Sequence, residues 1–272
     1  MSRRNNPVGI LDSGIGGFSV LKQVQRLLPE ENILYFGDGA HVPYGNHPEQ
    51  TIVALSRYMF EFMEQHQVKV LLVGCNTISC VTEQCMDLVS CPVFNAVQAG
   101  VNGALSGGDK RVGVISTVFT HSCQTYPRQL MAQGDGGLKV CSRGCPNLAS
   151  LVEHNLGSGE GMDRVEQELR QELGELVEKE KIQCCVLGCT HYSLVSDRIQ
   201  KLFPNLALVD PAREMARNLE RYLRQNDLNR EGGEKGRVTI YTTGEVKEYT
   251  LRANQVGLER VEQICSYPAL EI

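Results

Sequence analysis

Two cysteine residues occupy matching turns of this chain, and a thiol is the side chain there best able to move a proton. Cys75 is the second residue of Gly-Cys-Asn-Thr at 74–77, and Cys189 is the second residue of Gly-Cys-Thr-His at 188–191. A short apolar run precedes each turn, and a helix-like segment follows it. Each turn therefore predicts a strand, a tight turn and a helix, with a cysteine where the strand ends.

The two turns predict one shared binding site. In open α/β sheets, ligands bind beyond the carboxyl ends of the strands, so both thiols are expected there. A cysteine at a helix N-terminus also feels the positive end of the helix dipole, which predicts a lowered pKa and a thiolate. We therefore expect Cys75 and Cys189 to place one sulfur on either side of a single ligand.

A carboxylate and a hydroxyl end the first apolar strand. Asp12 and Ser13 could cap the helix that follows, or Asp12 could orient the thiol of Cys75 and exchange a proton with it. The glycines within residues 14–17 do not complete a dinucleotide fingerprint, which needs a further glycine where Ser19 stands. They instead favour a close approach of the backbone to a small anion.

Further polar residues lie at turns of the same kind, and their amide and hydroxyl donors suit the charged groups of an amino acid. They are Tyr44 and Gly45 in the loop after the second strand, Asn76, Thr77, Thr190 and His191 beside the cysteines, and Glu153 near the end of a mainly apolar helix. His191 is titratable and lies two residues from Cys189. An ordinary turn at 43–45, a satisfied turn histidine and a solvated Glu153 are simpler interpretations that the sequence leaves open.

Short strands alternate with helices along the chain, which predicts an α/β fold with mainly parallel sheets flanked by helices. Residues 111–117 repeat the pattern of residues 7–13, and a Gly-Cys turn follows each at a similar distance, which indicates an internal duplication. The chain is therefore expected to contain two βαβ-type halves of similar length.

Helices are predicted where apolar residues recur with a period near 3.6. One helix is predicted directly after the turn at residues 12–17. The helices predicted further along the chain cover residues 48–66, 78–89, 121–133, 162–181, 192–203 and 211–225. A strand is predicted over 238–242, and a terminal helix begins near Glu245.

The composition argues against several classes of protein. The chain has 272 residues, a net charge of -5 and no Lys/Arg run longer than Arg3-Arg4, which predicts no nucleic-acid partner. No apolar stretch reaches the roughly 18 residues of a membrane span or forms a signal peptide, so we expect no membrane partner and a cytoplasmic location. The 11 cysteines include no C-x-x-C pair, so we expect reduced thiols and no metal site.

Four motifs together resemble the glutamate racemases of the aspartate/glutamate racemase superfamily. They are Asp12-Ser13-Gly14-Ile15-Gly16-Gly17, Pro43-Tyr44-Gly45, Gly74-Cys75-Asn76-Thr77 and Leu187-Gly188-Cys189-Thr190-His191-Tyr192. The resemblance extends from about residue 8 to Gly244. It implies two pseudo-symmetric α/β domains with the active site in the cleft between them, the first comprising residues 1–97 and 208–272 and the second residues 98–207. It also implies a racemase that uses neither pyridoxal nor metal, with no cofactor at all, and it makes Cys75 and Cys189 the acid/base residues.

The same resemblance implies a set of residues around the amino-acid substrate. The implied ligand contacts come from Asp12, Ser13, Tyr44, Gly45, Asn76, Thr77, Thr190 and His191. Glu153 matches an acidic residue near the second cysteine, and Asp12, His191 and Glu153 are the candidate catalytic partners of the thiols.

Four positions depart from the family pattern. Gly39 and His41 stand where the loop usually carries Thr and Arg, and Ala99 and Ser193 stand where prolines are common. None of these changes removes a catalytic group. They alter the wall of the cleft, and the identity of the amino acid therefore stays open at this point.

Glutamate is the expected substrate, with D-glutamate supplied to peptidoglycan. Aspartate or another amino acid is the alternative that keeps the same machinery. A cysteine hydrolase built on Cys189 and His191, and a binding protein without catalysis, are alternatives of different classes. The sequence leaves the oligomeric state open, and a homodimer is one arrangement that it allows.

Overall fold

Two parallel β-sheets form the frame of the protein, which we describe from a computed structural model for residues 3–272. The strands are β1 Val8–Asp12, β2 Ile33–Gly37, β3 Val70–Val73, β4 Val93–Asn95, β5 Arg111–Ser116, β6 Lys139–Gly144, β7 Cys184–Gly188, β8 Ala207–Val209, β9 Val238–Thr242 and β10 Val261–Ser266. The α-helices are α1 Phe18–Leu27, α2 Glu49–Gln65, α3 Asn76–Ser79, α4 Ala96–Ser106, α5 Val118–Ser122, α6 Thr125–Gln133, α7 Leu148–Asn155, α8 Gly159–Glu178, α9 Thr190–Ser193, α10 Ser196–Leu202, α11 Pro211–Gln225 and α12 Val246–Val256.

The two sheets share one strand order. The six-stranded sheet runs β10-β9-β2-β1-β3-β4, and the four-stranded sheet runs β6-β5-β7-β8, so β2-β1-β3-β4 recurs in the second sheet. Neighbouring strands pair in parallel in both sheets. The predicted α/β fold, with two parallel sheets flanked by helices, is confirmed. We call the six-stranded sheet with its helices the first lobe and the four-stranded sheet with its helices the second lobe.

The central strands are continuous apolar runs because helices cover both of their faces. Every residue of β1, β2, β3 and β7 is buried. Helices on the two faces of the first sheet enclose separate apolar clusters, and the second sheet has two clusters of its own. The carboxyl ends of β1, β3, β5 and β7 are thereby held rigidly at the junction of the lobes.

The chain crosses between the sheets through α4, which links β4 to β5, and through α11, which links β8 to β9. These two helices pack against each other. Helix α11 begins at a proline preceded by Asp210, whose carboxylate accepts a hydrogen bond from the Ala212 N–H at 3.0 Å. The predicted division into residues 1–97 plus 208–272 and residues 98–207 stays a prediction, and its second boundary falls inside β8.

The helices predicted after the two cysteine turns are interrupted at equivalent positions. The segment 78–89 is a single turn, α3, followed by a 3-10 helix over Thr82–Leu88, and the segment 192–203 is divided into α9 and α10. Val81 and Val195 lie at the breaks with near-identical backbone angles, φ -115° and -116°. Each lies six residues after its cysteine, so the interruption belongs to the duplicated architecture.

Three further elements differ from the sequence prediction. Helix α4 and strand β10 were not predicted, and the segment predicted as one helix over 121–133 is divided into α5 and α6 at Gln124, whose φ is +53°. The expected terminal helix ends at Gly257 in the left-handed conformation, φ +74°, which frees the chain to form β10.

A buried ion pair fixes the end of the first sheet opposite the cysteines. Lys69 is fully buried, and its Nζ lies 2.6 Å from a carboxylate oxygen of Glu31. The same ammonium donates to the carbonyl oxygens of Arg4 at 2.7 Å and Leu228 at 2.8 Å. The pair therefore ties the start of the chain and the segment after α11 to the sheet. None of the helices within residues 3–272 has the length and apolar character of a membrane span.

Candidate active site

Both cysteine thiols face one cavity at the carboxyl ends of the strands, between the two lobes. The cavity is lined by Ser13, Pro43, Tyr44, Gly45, Cys75, Asn76, Thr77, Thr117, Ala149, Cys189, Thr190 and His191. It offers about 20 Å³ to water, which corresponds to roughly one water molecule. The cavity is therefore a narrow chamber with one thiol contributed by each lobe.

The Cys75 thiol is buried at the end of β3. Its sulfur donates to the Ser13 hydroxyl at 3.5 Å, and the residue is 5% exposed. Burial, together with the negative charge of Asp12, raises the pKa of Cys75 to about 12. The expectation of a lowered pKa is therefore wrong for this cysteine, because the single turn of α3 offers little dipole and the loss of hydration outweighs it.

The Cys189 thiol belongs to a chain of three side chains. Its sulfur lies 3.6 Å from Nδ1 of His191, and Nε2 of the same ring contacts a carboxylate oxygen of Glu153. Burial alone would lower the pKa of His191, but the charge of Glu153 and the hydrogen bonds to both neighbours raise that pKa well above its usual value. A protonated imidazole carries N–H groups on both nitrogens. His191 therefore donates to Glu153 and to the sulfur of Cys189.

Asp12 connects the lobes from beneath the cavity. Its carboxylate is fully buried and accepts hydrogen bonds from the Gly14 N–H and from the Thr190 hydroxyl, both at 3.1 Å. Burial raises the pKa of Asp12 to about 6, against the opposing charge of His191 and these two hydrogen bonds. Asp12 does not line the cavity. It instead accepts the hydrogen bond that holds Thr190 in place and contributes negative charge near Cys75.

Asn76 presents an unused pair of donors. Its amide oxygen accepts a 2.6 Å hydrogen bond from the Tyr126 hydroxyl, which reaches across from α6 of the second lobe. The Asn76 Nδ2 group is buried and has no hydrogen-bond partner. Because Tyr126 fixes the oxygen of the amide, the nitrogen is the end left free in the residue that lines the cavity.

Close contacts between the lobes leave no room for larger side chains. A Cβ atom on Gly16 would lie 2.4 Å from the Thr190 hydroxyl oxygen, and one on Gly45 would lie 2.6 Å from the Thr117 Cβ. Thr77 and Thr117 complete the contact with their hydroxyl oxygens 3.0 Å apart. Glycine at these positions therefore lets the two lobes meet around the chamber.

The loop after β2 is organised by one buried carboxylate. Asp38 is 1% exposed, accepts a 2.6 Å hydrogen bond from the Tyr44 hydroxyl, and contacts the His41 ring at 2.8 Å. The Thr243 hydroxyl donates to the other oxygen of the same carboxylate. Asp38 thus fixes Tyr44 and the neighbouring Gly45 in the wall of the chamber.

Comparison with known proteins shows which family has this architecture. The Asp/Glu/hydantoin racemase family matches residues 16–219 of the chain. The chain belongs to this family.

Its relatives include "Glutamate racemase 3" of Caldanaerobacter subterraneus subsp. tengcongensis, 37% identical over 239 residues, which cover 86% of this chain and 84% of the relative. The crystal structure of a glutamate racemase isoform from Bacillus anthracis superposes with a TM-score of 0.88 at 31% identity, covering 98% and 100% of the two chains. The glutamate racemase of Francisella tularensis, solved in complex with D-glutamate, superposes with a TM-score of 0.83 at 29% identity, covering 96% and 97%.

The structure brings the family motifs of this racemase together. Nine of the predicted site residues line the chamber: Ser13, Tyr44, Gly45, Cys75, Asn76, Thr77, Cys189, Thr190 and His191. Asp12 and Glu153 lie behind Thr190 and His191 and contact them. Their roles in catalysis and binding stay predictions.

Thr117 lines the chamber but was not singled out from the sequence. Residues 111–117 repeat residues 7–13, and this alignment places Thr117 opposite Ser13. Both residues line the cavity, one from each lobe. The duplication therefore carried the signal that could have identified Thr117.

The departures from the family pattern have local explanations. A Cβ on Gly39 would meet the Gly244 backbone at 3.0 Å, so the space next to it is already filled. His41 binds Asp38, and the Ser193 hydroxyl donates to Asp210 at 2.7 Å. Ala99 is a buried residue of α4 and lies outside the chamber. Within residues 3–272, no cluster of three or more His, Cys, Asp or Glu side chains is arranged to hold a metal ion.

Proposed function

We propose that this protein interconverts L- and D-glutamate by two-base proton transfer at the α-carbon. The observation that carries the proposal is the pair of thiols, Cys75 and Cys189, which line one narrow chamber from different lobes. Inversion of a carbon centre requires removal of the hydrogen from one face and return of a proton to the other. Two sulfurs on opposite sides of one substrate meet that requirement without turning the substrate over.

The two thiols are prepared for different roles. Cys75, with a pKa of about 12, rests as the thiol and is the proton donor. The Cys189 sulfur accepts a hydrogen bond from His191, so we assign it the role of the base that receives the α-hydrogen. Proton transfer to Cys189 and from Cys75 inverts one enantiomer and exchanges the two roles. The reverse reaction begins from the exchanged state.

Removal of the α-hydrogen is difficult because the developing carbanion needs stabilisation. In a chamber with almost no water, fixed donors interact strongly with developing charge. The Asn76 amide nitrogen, the hydroxyls of Ser13, Thr77 and Thr117, and the positive charge on His191 supply such donors around the cavity. We assign the carboxylates of the substrate to these groups. No added cofactor takes part in this scheme.

Substrate access requires the lobes to separate. The chamber offers about 20 Å³ to water, and a dicarboxylic amino acid is several times larger than one water molecule. Only α4 and α11 carry the chain between the sheets within the described residues, and they lie side by side. A small rotation about this helix pair opens the cleft, and closure around glutamate then excludes water.

Deuterium exchange tests the proposal most directly. L-glutamate incubated with the purified protein in deuterated water, without added cofactor, should gain deuterium at the α-carbon and lose optical rotation. L-aspartate and other amino acids are run in parallel to test the alternative substrates. The absence of both deuterium exchange and inversion with glutamate would refute the proposal. Faster exchange with another amino acid would identify that amino acid, rather than glutamate, as the substrate.

The Cys189–His191–Glu153 chain also has the order of groups found in cysteine hydrolases. A hydrolase would form a thioester on Cys189 and would not need the opposite thiol. A Cys75→Ser variant separates the two mechanisms. The racemase mechanism predicts loss of inversion in this variant, whereas full activity would support the hydrolase.

The cellular role and assembly complete the proposal. D-glutamate made by this protein would supply peptidoglycan synthesis in the cytoplasm. A homodimer stays a prediction, and light scattering coupled to size-exclusion chromatography tests it. A mass equal to a single chain at every concentration would contradict the dimer.

A further inference from the structure

A second pair of thiols lies beside the chamber, again with one thiol from each lobe. Cys80 immediately follows α3 in the first lobe, and Cys123 immediately follows α5 in the second. Both are free and half-buried. The two side chains are close enough to interact, and the Cys80 thiol donates to the Asn76 carbonyl oxygen at 3.3 Å. Neither lines the chamber, so the proposed racemisation does not use them.

The packing of the two short helices produces this contact. The Thr77 and Thr120 hydroxyl oxygens lie 3.4 Å apart, one on α3 and one on α5. Cys80 and Cys123 each lie three residues further along, and residues three apart share one face of a helical turn. The interlobe contact therefore continues from the threonines to the thiols.

The pair is accessible and chemically unequal. Cys80 lines a solvent-accessible groove of about 630 Å³ that also contains Glu83 and Arg128 and shares no lining residue with the chamber. The interaction with Cys80 lowers the pKa of Cys123, against a smaller opposing effect of burial. The interaction with Cys123, together with burial, raises the pKa of Cys80. Because the thiolate is the reactive form, Cys123 is the attacking sulfur.

We propose that Cys80 and Cys123 form an oxidation-sensitive site, at which a hydroperoxide converts the two thiols into a disulfide that joins the lobes and stops turnover. The regulatory part of this inference rests on the proposed racemase function, because that function requires the lobes to separate. Formation of the disulfide does not rest on it.

The reaction balances with hydrogen peroxide as the oxidant. The Cys123 thiolate attacks one peroxide oxygen, the O–O bond breaks, and Cys123 sulfenic acid and hydroxide form. The Cys80 sulfur then attacks the sulfenic sulfur, and the S–O bond breaks as the S–S bond forms. The proton of Cys80 leaves with that oxygen as water. In total, two thiols are oxidised and one peroxide is reduced to two waters.

The position of the cross-link explains its effect. Thr77 and Thr117, on α3 and at the start of α5, line the chamber where the lobes meet. A covalent bond between the C-terminal ends of the same two helices fixes the lobes in this arrangement, in which the chamber admits about one water molecule. Substrate then neither enters nor leaves. Reduction of the disulfide restores the motion.

The test measures the cross-link and activity separately. Reduced protein is treated with graded hydrogen peroxide, blocked with an alkylating agent and digested, and peptides joining Cys80 to Cys123 are quantified by mass spectrometry. We expect racemisation to fall in proportion to the cross-linked fraction and to recover with dithiothreitol. We also expect the cross-link to raise the urea midpoint of unfolding. If glutamate is not a substrate, the peptide and urea measurements still decide whether the disulfide forms.

Three substitutions make the result specific. Cys80→Ser and Cys123→Ser should keep basal activity, form no cross-link and resist inactivation. The matched control is Cys141→Ser, another half-buried thiol, whose neighbour is the Glu180 carboxylate at 3.6 Å. This control should be inactivated like the unaltered protein. The proposal is overturned if the protein is inactivated without forming the Cys80–Cys123 peptide, or if the cross-link forms without loss of activity. It is also overturned if Cys80→Ser and Cys123→Ser are as sensitive to peroxide as the unaltered protein, because the oxidation would then be assigned to the catalytic thiols.

Discussion

Replacement of Tyr126 by phenylalanine tests how the chamber orients its amide donor. The Tyr126 hydroxyl donates at 2.6 Å to the Asn76 amide oxygen, and Asn76 is 2% exposed. The substitution keeps the ring, which packs against Gly100, and removes only the oxygen. The Asn76 oxygen is then left buried without its donor, and the amide is free to turn its nitrogen away from the substrate.

The magnitude follows from the cost of an unsatisfied buried acceptor, about 1–3 kcal/mol. If that cost falls on substrate binding and the transition state, kcat/KM drops by about 5- to 150-fold. In the proposed mechanism the Asn76 amide contacts the substrate before and during proton transfer, so we expect most of the loss as a higher KM with kcat little changed. Polarimetry or circular dichroism of glutamate over a range of concentrations measures both constants.

Tyr58→Phe is the matched control, because the Tyr58 hydroxyl also donates to a fixed acceptor, the Pro268 carbonyl at 2.9 Å, and Tyr58 does not line the chamber. It should leave KM unchanged. The reasoning is refuted if Tyr126→Phe has a KM and kcat/KM within twofold of the unaltered protein, or if Tyr58→Phe changes KM equally.

Three further predictions concern the thiols, the buried carboxylate and the buried ion pair. Cys75→Ser should lower kcat for racemisation by about 10²- to 10⁴-fold, measured by polarimetry, because one of the two acid/base groups is lost; unchanged kcat would exclude the two-base mechanism. The folded-state pKa of Asp12 is raised to about 6, so ionisation of this carboxylate lowers the free energy of unfolding as the pH rises from about 4 through 6. In urea titrations, the free energy of unfolding of Asp12→Asn should therefore rise by about 2–3 kcal/mol relative to the unaltered protein between pH 4 and pH 7, while activity falls. A constant stability difference across that range would contradict the assignment. Lys69→Met should lower the free energy of unfolding by about 3–5 kcal/mol because it leaves the Glu31 carboxylate buried and unpaired. The exposed pair of Lys110 with Asp135 provides the control, since Lys110→Met should change stability by less than about 1 kcal/mol; equal losses would argue against burial as the cause.

Local sequence signals were sufficient where an element has strong boundaries. Helix α11 and strand β9 have the predicted bounds, Pro211–Gln225 and Val238–Thr242. A proline preceded by a capping aspartate starts the helix, and its apolar stripe is regular. In β9, buried and half-buried residues alternate, as in the template for a strand.

Helix α4 lacked such signals for a physical reason. It carries Gly100 and Gly103, and glycine inside a helix costs about 1 kcal/mol relative to alanine. A Cβ on Gly100 would lie 2.7 Å from the Tyr126 hydroxyl, and one on Gly103 would lie 2.8 Å from the Val209 side chain. These glycines serve close packing between the lobes, which is tertiary information. Strand β10 escaped for a similar reason, because half of its residues are exposed at the edge of the sheet.

The thiols illustrate the same limit for the site. Sequence placed both cysteines at strand ends, and they do line one chamber. The predicted helix dipole did not determine the pKa of Cys75, because the degree of burial depends on how the second lobe covers the first. The sequence also did not predict the contacts of Tyr126 with Asn76 and of Asp38 with Tyr44, because tertiary packing brings these side chains together. Motif spacing identified the candidate reacting groups, and only packing revealed the side chains that surround them.

The strands of the first sheet come from both ends of the chain, and this determines the order in which the two sheets can fold during synthesis. Strands β5 to β8 lie within residues 111–209 and can assemble as soon as they emerge. Strand β2 pairs with β1 on one side but must wait for β9 on the other. A nascent chain therefore carries an open, apolar strand edge through most of its synthesis, and that edge is the natural point for aggregation or chaperone capture.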